Sequence, residues 1–260
     1  MRDQPRAASH LLIGNSRWHW ARQGGDTTRF WHGLPGVWPD GSSPRALTAW
    51  AAVGPLPAAT PLPPAHRVST GDVPLQQLPP WIGVDRALAA WEAWRRTLER
   101  EVADPGAGPV PSPARSLLVA DAGSALSLTR VQGEGHFAGG LIQAGLRMQL
   151  RALGHGTAGL PLVQGPAAEE PLAAHEWPVR TADAMLQGVL RGLAGAVQAA
   201  HQRARRQDST CRLWLTGGDA AWIAPLLGGP DGAVPGWLIR ADHLVMEGLI
   251  RLRPCCGLRG

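Results

Sequence analysis

Short apolar runs separated by turns of small residues open the chain and predict β-structure. His10–Ile13 and Trp18–Trp20 flank a Gly-Asn-Ser turn, which favours a hairpin. Residues 51–80 are rich in Pro and Ala and predict irregular chain, with one short strand near His66–Val68. From Arg86 to Val102 apolar side chains recur at helical spacing with Arg and Glu between them, so this stretch predicts a helix.

Strands and helices alternate through the second half of the sequence. The pattern predicts strands at Ser116–Ala120, Ala125–Val131, Cys211–Leu215 and near Trp237–Ile239, a Gly-rich bend at Gly139-Gly140, and helices at Leu141–Leu153, Thr181–Arg206, Asp219–Leu227 and His243–Leu252. Thr181 is a candidate N-cap of the longest helix, with Asp183 in its first turn. This alternation predicts a mixed α/β class with function at the strand ends.

One break in composition divides the chain. Asp104–Ala114 reads DPGAGPVPSPA, a Pro/Gly stretch that is poorly suited to regular structure. We therefore predict an N-terminal subdomain at 1–104, a linker at 105–115 and a C-terminal subdomain at 116–260.

The composition is that of a globular protein, with 44% hydrophobic and 17% charged residues. The net charge is +5, and all the basic side chains other than His are Arg, since the chain has no Lys. The densest basic cluster, Arg203, Arg205 and Arg206, falls at the predicted end of a long helix, where cations complement the helix dipole. This placement favours a helix end over a nucleic-acid surface, so no nucleic-acid partner is expected.

The sequence indicates a cytoplasmic protein. No apolar stretch reaches the roughly 20 residues that span a bilayer, and Met1–Ser9 is not followed by a signal-peptide core, so neither a membrane partner nor secretion is expected. The three cysteines, Cys211, Cys255 and Cys256, form neither a disulfide framework nor a zinc spacing, which fits a reducing compartment.

Three predicted turns share one design, in which a buried strand ends in small residues with a hydroxyl or carboxylate. They are Gly14-Asn15-Ser16, Asp121-Ala122-Gly123-Ser124 and Thr216-Gly217-Gly218-Asp219. Glycine lets the backbone approach an anion, and the exposed N–H groups can then bind phosphate oxygens. Any one such turn is common at a strand end, but three in order indicate a phosphate-binding protein.

A fourth element, Gly83-Val84-Asp85-Arg86, carries a carboxylate next to a guanidinium. Transfer of a phosphoryl group to an alcohol needs a base for the hydroxyl proton, and an oriented Asp can supply it. Arg86 can bind a substrate carboxylate or the developing phosphoryl charge. The residues alone leave open a second interpretation, in which Asp85 is a helix N-cap and Arg86 is solvated.

Taken in order, these motifs resemble those of the type III pantothenate kinases. The matching segments are Leu11–Ala21, Pro80–Arg86, Asp121–Ala125, Gly139–Gly145, Thr181–Ala184 with Gly188, Thr216–Ala220 and Glu247–Leu249. They resemble the family's opening phosphate motif, its Gly-x-Asp-Arg motif, its second phosphate motif, a Gly-rich stretch, a helical Thr-x-x-Ala segment, an adenosine-side turn and the C-terminal end. The matches run from residue 11 to residue 249, nearly the whole chain.

The resemblance implies two actin-like (ribonuclease H-like) subdomains, ATP in the cleft between them, and a homodimer. Asp85 would be the catalytic base, and Gly83, Val84, Asp85, Arg86 and Thr181 would bind pantothenate. The ATP-binding residues would be Leu12, Ile13, Gly14, Asn15, Ser16, Arg17, Trp18, His19, Ser124, Gly217 and Gly218. Asp121 would bind a monovalent cation, K⁺ or NH₄⁺, and Mg²⁺ would accompany ATP.

Five positions depart from the family pattern. Two of them are Pro79, where a Tyr often precedes the Gly-x-Asp-Arg motif, and Ala144, where the Gly-rich stretch has Pro. Leu12 stands where the first motif has Asp, His19 where a Lys is frequent, and Thr129 at a second acidic position. Leu12 and Thr129 support an alternative hypothesis, a catalytically degenerate relative that acts as a nucleotide-binding or regulatory protein. A kinase for another sugar or small alcohol is a further alternative, against which the Gly83–Arg86 motif argues.

Overall fold

The computed structural model describes residues 8–24, 27–39, 42–56, 61–103, 116–166, 177–228 and 234–253. The predicted linker at 105–115 and the pair Cys255 and Cys256 lie outside these residues. The described chain forms two compact units. The first comprises the described residues up to 103 together with 135–137 and 243–253, and the second comprises 116–134 and the described part of 138–242.

The first unit is built on a four-stranded sheet. Its strands are β1 (Ala8–Ile13), β2 (Trp18–Gly24), β3 (Thr27–Gly33) and β4 (Leu47–Ala52), in the order β3-β2-β1-β4. The first three strands are antiparallel neighbours, whereas β4 runs parallel to β1. Helix α1 (Val84–Ala103) follows a loop that contains two 3₁₀ turns, Pro64–His66 and Thr70–Asp72.

Tryptophans fill much of the core on this sheet. Trp18, Trp20 and Trp50 are buried with Leu11, Ile13 and Leu47, and Trp31 and Trp38 pack against them. The Trp20 and Trp31 rings are stacked with centroids 6.2 Å apart, and Trp38 meets the Trp20 ring edge-on at 5.2 Å. The tryptophans that flank the first turn therefore serve packing.

The second unit is built on a five-stranded sheet in the order β7-β6-β5-β8-β9. Its elements are β5 (Leu117–Ala122), β6 (Ala125–Gln132), β7 (His136–Ala144), α2 (Leu146–Gly156), α3 (Thr181–Gln207), β8 (Arg212–Thr216), α4 (Ala220–Ile223), a 3₁₀ turn (Ala224–Leu227) and β9 (Leu238–Arg240). Strands β5, β8 and β9 are parallel, so their carboxyl ends share one edge. One face of α3 supplies much of the core against β5 and β8.

The sequence pattern was wrong at several boundaries. Gly139 and Gly140 do not form a bend but lie within β7, whose exposed edge position tolerates glycine. The following helix consequently starts at Leu146 and not at Leu141. Thr181 is the first residue of α3, and the N-cap position belongs to Arg180, without a side-chain cap. Strands β3 and β4 were not predicted, because their apolar residues do not alternate cleanly.

The last helix, α5 (Leu244–Leu252), packs against α1 in the first unit. A methyl group at Gly248 would lie 2.7 Å from the Leu88 carbonyl oxygen, so a larger residue would push the helices apart. No helix of the described chain is long and apolar enough to cross a bilayer.

A buried carboxylate joins α1 to α5. Glu92 is 1% exposed and accepts hydrogen bonds from Arg96 Nε and Arg251 Nε, each at 2.7 Å. Arg96 also pairs with Glu247 at 2.6 Å, and Arg251 with Glu99 at 3.0 Å. Because two guanidinium groups compensate one buried charge, the network holds the two helices in register.

Replacement of Glu92 by Gln is expected to lower the free energy of unfolding by about 2–3 kcal/mol. The two arginines would lose their charged acceptor, and their partial exposure keeps the loss below that for a fully buried pair. Urea unfolding followed by circular dichroism measures the effect. Glu99→Gln is the matched control: Glu99 lies on the same helix with its side chain 47% exposed, and its loss should change stability by less than about 1 kcal/mol. Equal effects would contradict the assigned role of Glu92.

Candidate active site

The first predicted phosphate turn connects β1 to β2 and packs against the end of β4. The Gly14 N–H donates to the Arg17 carbonyl at 3.1 Å and closes the turn. The N–H groups of Val53 and Gly54 both donate to the Ile13 carbonyl, at 2.9 and 3.1 Å. A Cβ atom at Gly54 would overlap the Gly14 carbonyl oxygen, so the two segments are in direct backbone contact.

The residues predicted to bind ATP along this segment divide into two groups. The side chains of Leu12, Ile13 and Trp18 are buried, at 5%, 0% and 2% exposed, so only their backbone groups are available to a ligand. Asn15 and Ser16 are exposed at the tip of the turn, with Gly14, Arg17 and His19 partly exposed.

His19 lies in a row of side chains that crosses the sheet. Its cross-strand neighbours are Leu12 on β1 and His32 on β3, and the two imidazole rings are 6.3 Å apart. Burial, followed by the positive charges of His32, Arg17 and His243, lowers the pKa of His19 from 6.5 to about 4. His19 is therefore neutral at pH 7.

The Gly-x-Asp-Arg motif forms the start of α1. Val84 is the first helical residue and Asp85 lies in the first turn, where the Arg86 N–H donates to Asp85 Oδ1 at 2.7 Å. A Cβ atom at Gly83 would lie 2.5 Å from that oxygen and 3.5 Å from Val53 Cγ1. The Asp85 carboxylate thus sits behind Gly83, close to the end of β4. Burial raises its pKa, with the Arg86 N–H and the Arg86 charge acting in the opposite direction.

An open pocket of about 750 Å³ lies between β4 and the loop that leads to α1. Its lining residues are Ala52, Val53, Arg67, Val68, Ser69, Thr70, Gly71, Val73, Leu75, Gln77, Leu78, Pro80, Ile82, Gly83 and Val84. The volume is in the range of small-molecule sites, and the lining presents polar and apolar surface in about equal parts. Gly83 forms part of the pocket wall, and a Cβ atom there would lie 2.5 Å from Asp85 Oδ1. The pocket therefore lies beside the Asp85 carboxylate, with Gly83 between them.

In the second unit, the structure brings the other two predicted turns together. Asp121 on β5 is the register partner of Thr216 on the parallel strand β8. Gly217 has φ +95°, and a Cβ atom there would lie 2.5 Å from the Ala122 carbonyl oxygen and 2.6 Å from Asp121 Oδ1. Glycine is therefore required at this position, both for the left-handed backbone and for the close approach. The Asp219 N–H donates to the Ala122 carbonyl at 2.9 Å and fixes the two turns to each other.

The remaining predicted residues also lie at strand and helix ends of this unit. Ser124 is exposed in the β5–β6 turn, and its carbonyl accepts the Gly145 N–H at 3.1 Å. Gly218 follows Gly217 in the turn after β8, and Thr181 is exposed at the first position of α3.

The sequence did not identify all the residues that shape these sites. Val53 and Gly54, which contact the first turn and the Asp85 motif, were assigned to irregular chain, and so was the pocket segment 69–78. The short strand predicted near His66–Val68 is an isolated bridge between residues 50 and 67. The Gly54-Pro55 pair after an apolar run marks a turn, but this turn lacks the hydroxyl or carboxylate that the three predicted turns share. His32 becomes a neighbour of His19 only because β3 pairs with β2, and a local sequence pattern does not specify that pairing.

Known proteins share both the motifs and the fold. A family model described as type III pantothenate kinase matches residues 73–203. The type III pantothenate kinase of Synechococcus elongatus is 32% identical, covering 93% of this chain and 94% of that protein, and that of Chromobacterium violaceum is 35% identical, covering 93% and 98%. A solved structure from Sinorhizobium meliloti, described as a putative 2-dehydro-3-deoxygalactonokinase, has a TM-score of 0.50 at 12% identity and covers 97% of this chain and 98% of that one.

The fold is of the mixed α/β class with two sheets and is shared with the Sinorhizobium meliloti structure, which confirms the predicted mixed α/β class. Within that class, the chain belongs to the type III pantothenate kinase family.

The His19 environment gives a prediction for its titration. The imidazole of His19 should titrate near pH 4, because burial and the neighbouring cations disfavour its charged form. NMR of ¹³C-labelled histidine measures the midpoint, and the missing signal in His19→Gln assigns the resonance. A second variant, Arg17→Gln, should raise the midpoint slightly by removing one cation. A His19 midpoint at the ordinary value of 6.5 would contradict the described environment.

Proposed function

We propose that this protein transfers the γ-phosphoryl group of ATP to the primary hydroxyl of pantothenate, giving 4'-phosphopantothenate, the first step of coenzyme A biosynthesis. The observation that carries the proposal is the Asp85 carboxylate behind the Gly83 wall of the pocket. Family membership supports the same reaction.

Asp85 is proposed to accept the hydroxyl proton as the alcohol attacks. Burial raises its pKa and so makes the carboxylate a stronger base than an exposed Asp. The bond from the Arg86 N–H fixes Oδ1 and so orients the carboxylate. Arg86 would stabilise the charge that develops on the transferred phosphoryl group, and transfer would proceed in line without a covalent enzyme intermediate.

The nucleotide is proposed to bind through backbone groups at the strand ends. The backbone groups of the first turn lie at Gly14, Asn15 and Ser16, and those of the second turn lie at Ser124. All four residues are at least partly exposed. The buried Leu12, Ile13 and Trp18 can contribute only main-chain groups. Gly217 and Gly218 are proposed to lie on the adenosine side.

The proposed cations place different demands on the protein. Asp121 supplies a carboxylate beside the carbonyls of a tight turn, an oxygen donor set that suits K⁺ or NH₄⁺. Within the described residues no group of three His, Cys, Asp or Glu side chains forms a dedicated metal cluster. Mg²⁺ is therefore proposed to be carried mainly by the ATP phosphates, where it supplies charge neutralisation.

A homodimer in the cytoplasm is proposed for the assembled enzyme. Leu141 and Ile142 on β7 and Met148 on α2 are large apolar side chains that are 53%, 64% and 46% exposed. Large apolar side chains with this exposure are candidates for burial in an interface. Thr181 is proposed to join the substrate site in that assembly.

The alternative function is a catalytically degenerate relative that binds nucleotide without turnover. One observation favours it: the neighbours Leu12 and His19 are an apolar residue and a neutral imidazole, so this face of the sheet carries no carboxylate and no permanent cation at these positions.

Replacement of Asp85 by Asn tests the proposed base. The variant keeps the shape of the side chain but cannot accept the proton, so kcat for pantothenate-dependent ADP formation should fall by about 10²–10⁴-fold. The assay contains Mg²⁺ and ATP, with and without K⁺, and the wild-type protein should require the monovalent cation.

Glu99→Gln is the matched control, since it makes the same carboxylate-to-amide change on an exposed face of α1. It should retain wild-type turnover. Wild-type protein that is folded and binds ATP, yet forms no phosphopantothenate with any of these cations, would establish the degenerate relative. Full activity of Asp85→Asn would remove Asp85 as the base.

A further inference from the structure

Four basic side chains lie together on one face of the first sheet. His19 on β2 and His32 on β3 are register partners with ring centroids 6.3 Å apart. Phe30 shares that face of β3, and its ring is stacked on His243, the residue before α5, with centroids 4.2 Å apart. The charge of Arg17 acts on both strand imidazoles, as does that of His243. We call Arg17, His19, His32 and His243 the basic cluster.

The basic cluster has no carboxylate to offset it. The cross-strand neighbour of His19 on β1 is Leu12, and none of the strands β1–β4 carries an acidic residue. The carboxylates on either side of His243 along the chain, Asp242 and Glu247, are each paired with an arginine, at 2.7 and 2.6 Å. All the charges that act on the two strand imidazoles are positive. Among the described residues the cluster therefore keeps an excess of basic groups.

The other basic groups of these strands are set apart from the cluster. Arg22 and Arg29 are register partners on the opposite face of β2 and β3. His10 is on the same face as His19 but is fully buried, and its Nε2 is bonded to the Arg253 carbonyl at 2.9 Å. The four members of the cluster are thus the groups that an anion on this face would meet.

The basic cluster borders the first predicted phosphate turn. A Cβ atom at Gly14 would lie 3.7 Å from His19 Nε2, so the imidazole packs against the backbone of that turn. The tip of the turn is exposed, and so are His32 and His243. Helix α5 starts directly after His243 without a side-chain cap, so its first N–H groups add partial positive charge there. The arrangement is therefore accessible to an anionic ligand.

The cluster carries little charge of its own while it is empty. Burial and the neighbouring cations lower the pKa of His19 to about 4, and burial followed by the charges of Arg17 and His243 lowers the pKa of His32. A phosphate group at the cluster would reverse the sign of the nearest charge. An opposite charge within about 4–6 Å favours the protonated imidazole and shifts its pKa upward by about 1–3 units. Since Arg17 holds the permanent charge of the cluster, full neutralisation of a phosphate dianion requires a proton on an imidazole.

We propose that the basic cluster binds a phosphate group and takes up a proton from the solvent onto an imidazole nitrogen as it does so. The source of the phosphate group rests on the proposed function, under which it is the terminal phosphate of the nucleotide; free inorganic phosphate offers the same chemistry. His32 and His243 lie outside all the sequence motifs and reach the cluster only through β3 and α5. Nucleotide binding is therefore linked to pH, with the tighter binding on the acidic side of neutrality.

Calorimetry measures the uptake of protons directly. Binding enthalpies of a non-hydrolysable ATP analogue are determined at pH 7, with excess Mg²⁺ to keep the ligand ionised, in buffers that differ in ionisation enthalpy. The slope gives the number of protons bound, for which we expect about 0.3–1 in the wild-type protein. The Kd should rise about two- to tenfold per pH unit near pH 7. Adenosine, which has no phosphate group, should cause no uptake.

Substitutions assign the proton to the cluster. His19→Gln and His32→Gln should each reduce the uptake, and the double variant should abolish it and bind the analogue with a Kd independent of pH. His32→Lys places a permanent cation at an exposed position, so it should restore tight binding at pH 8 while reducing the uptake. His155→Gln is the matched control, because His155 is exposed in the second unit. It should leave both the uptake and the Kd unchanged.

NMR of ¹³C-labelled histidine distinguishes the two sources of phosphate. The titration midpoints of His19 and His32 should rise when the analogue is added. Inorganic phosphate is added alone in a parallel titration. A rise with inorganic phosphate but not with the analogue supports the cluster as a phosphate site and identifies the free anion as its ligand.

The proposal is overturned if neither ligand moves these midpoints or if binding takes up no proton. It is also overturned if the double variant keeps the uptake of the wild-type protein, since the proton then binds elsewhere. Failure of the proposed function gives a different result: the analogue binds with histidine-dependent uptake, but no 4'-phosphopantothenate forms from ATP and pantothenate.

Discussion

The candidate catalytic carboxylate depends on a close approach of three chain segments that only small residues permit. The β1–β2 turn touches the end of β4 at Gly54, and the end of β4 touches the start of α1 at Gly83. Asp85 lies behind this contact, where burial raises its pKa and one backbone N–H holds Oδ1. A side chain at Gly54 would push the β1–β2 turn away from the end of β4, and a Cβ atom at Gly83 would lie 2.5 Å from Asp85 Oδ1 and displace the carboxylate. The α1–α5 contact through Glu92 anchors the same helix about two turns further along.

In the row of side chains that crosses the first sheet, the facing residues Leu12 and His19 carry no charge at pH 7. Leu12 and His19 are direct cross-strand neighbours, so an apolar residue faces an imidazole that is neutral at pH 7. A permanent cation at position 19 would have no carboxylate opposite it and would be disfavoured by the same burial. The residues at positions 12 and 19 are thus physically coupled. In the second unit the Asp121 carboxylate lies against Gly217.

Much of this arrangement could be predicted from the sequence. The hairpin at the start, helix α1, the strand pair β5–β6, helix α3 and strand β8 follow from local periodicity, and the order of the motifs identified the family. Residues whose contacts depend on long-range strand or loop pairing were not predicted. Gly54, His32 and the Phe30–His243 contact depend on which strands and loops become neighbours, and long-range register is not encoded in a short window. Gly139 and Gly140 were predicted to form a bend because glycines often end a strand. They lie within β7, and an edge strand tolerates glycine.

The account is tested most directly by the pH dependence of kcat/KM for pantothenate, measured as formation of 4'-phosphopantothenate between about pH 4 and pH 8. A base must be ionised to act, so kcat/KM should fall as the pH falls through the pKa of Asp85. Since burial raises that pKa above its ordinary value of 3.8, the account predicts an acid limb whose midpoint lies above this value. A profile that stays flat down to the lowest pH at which the protein remains folded would contradict it.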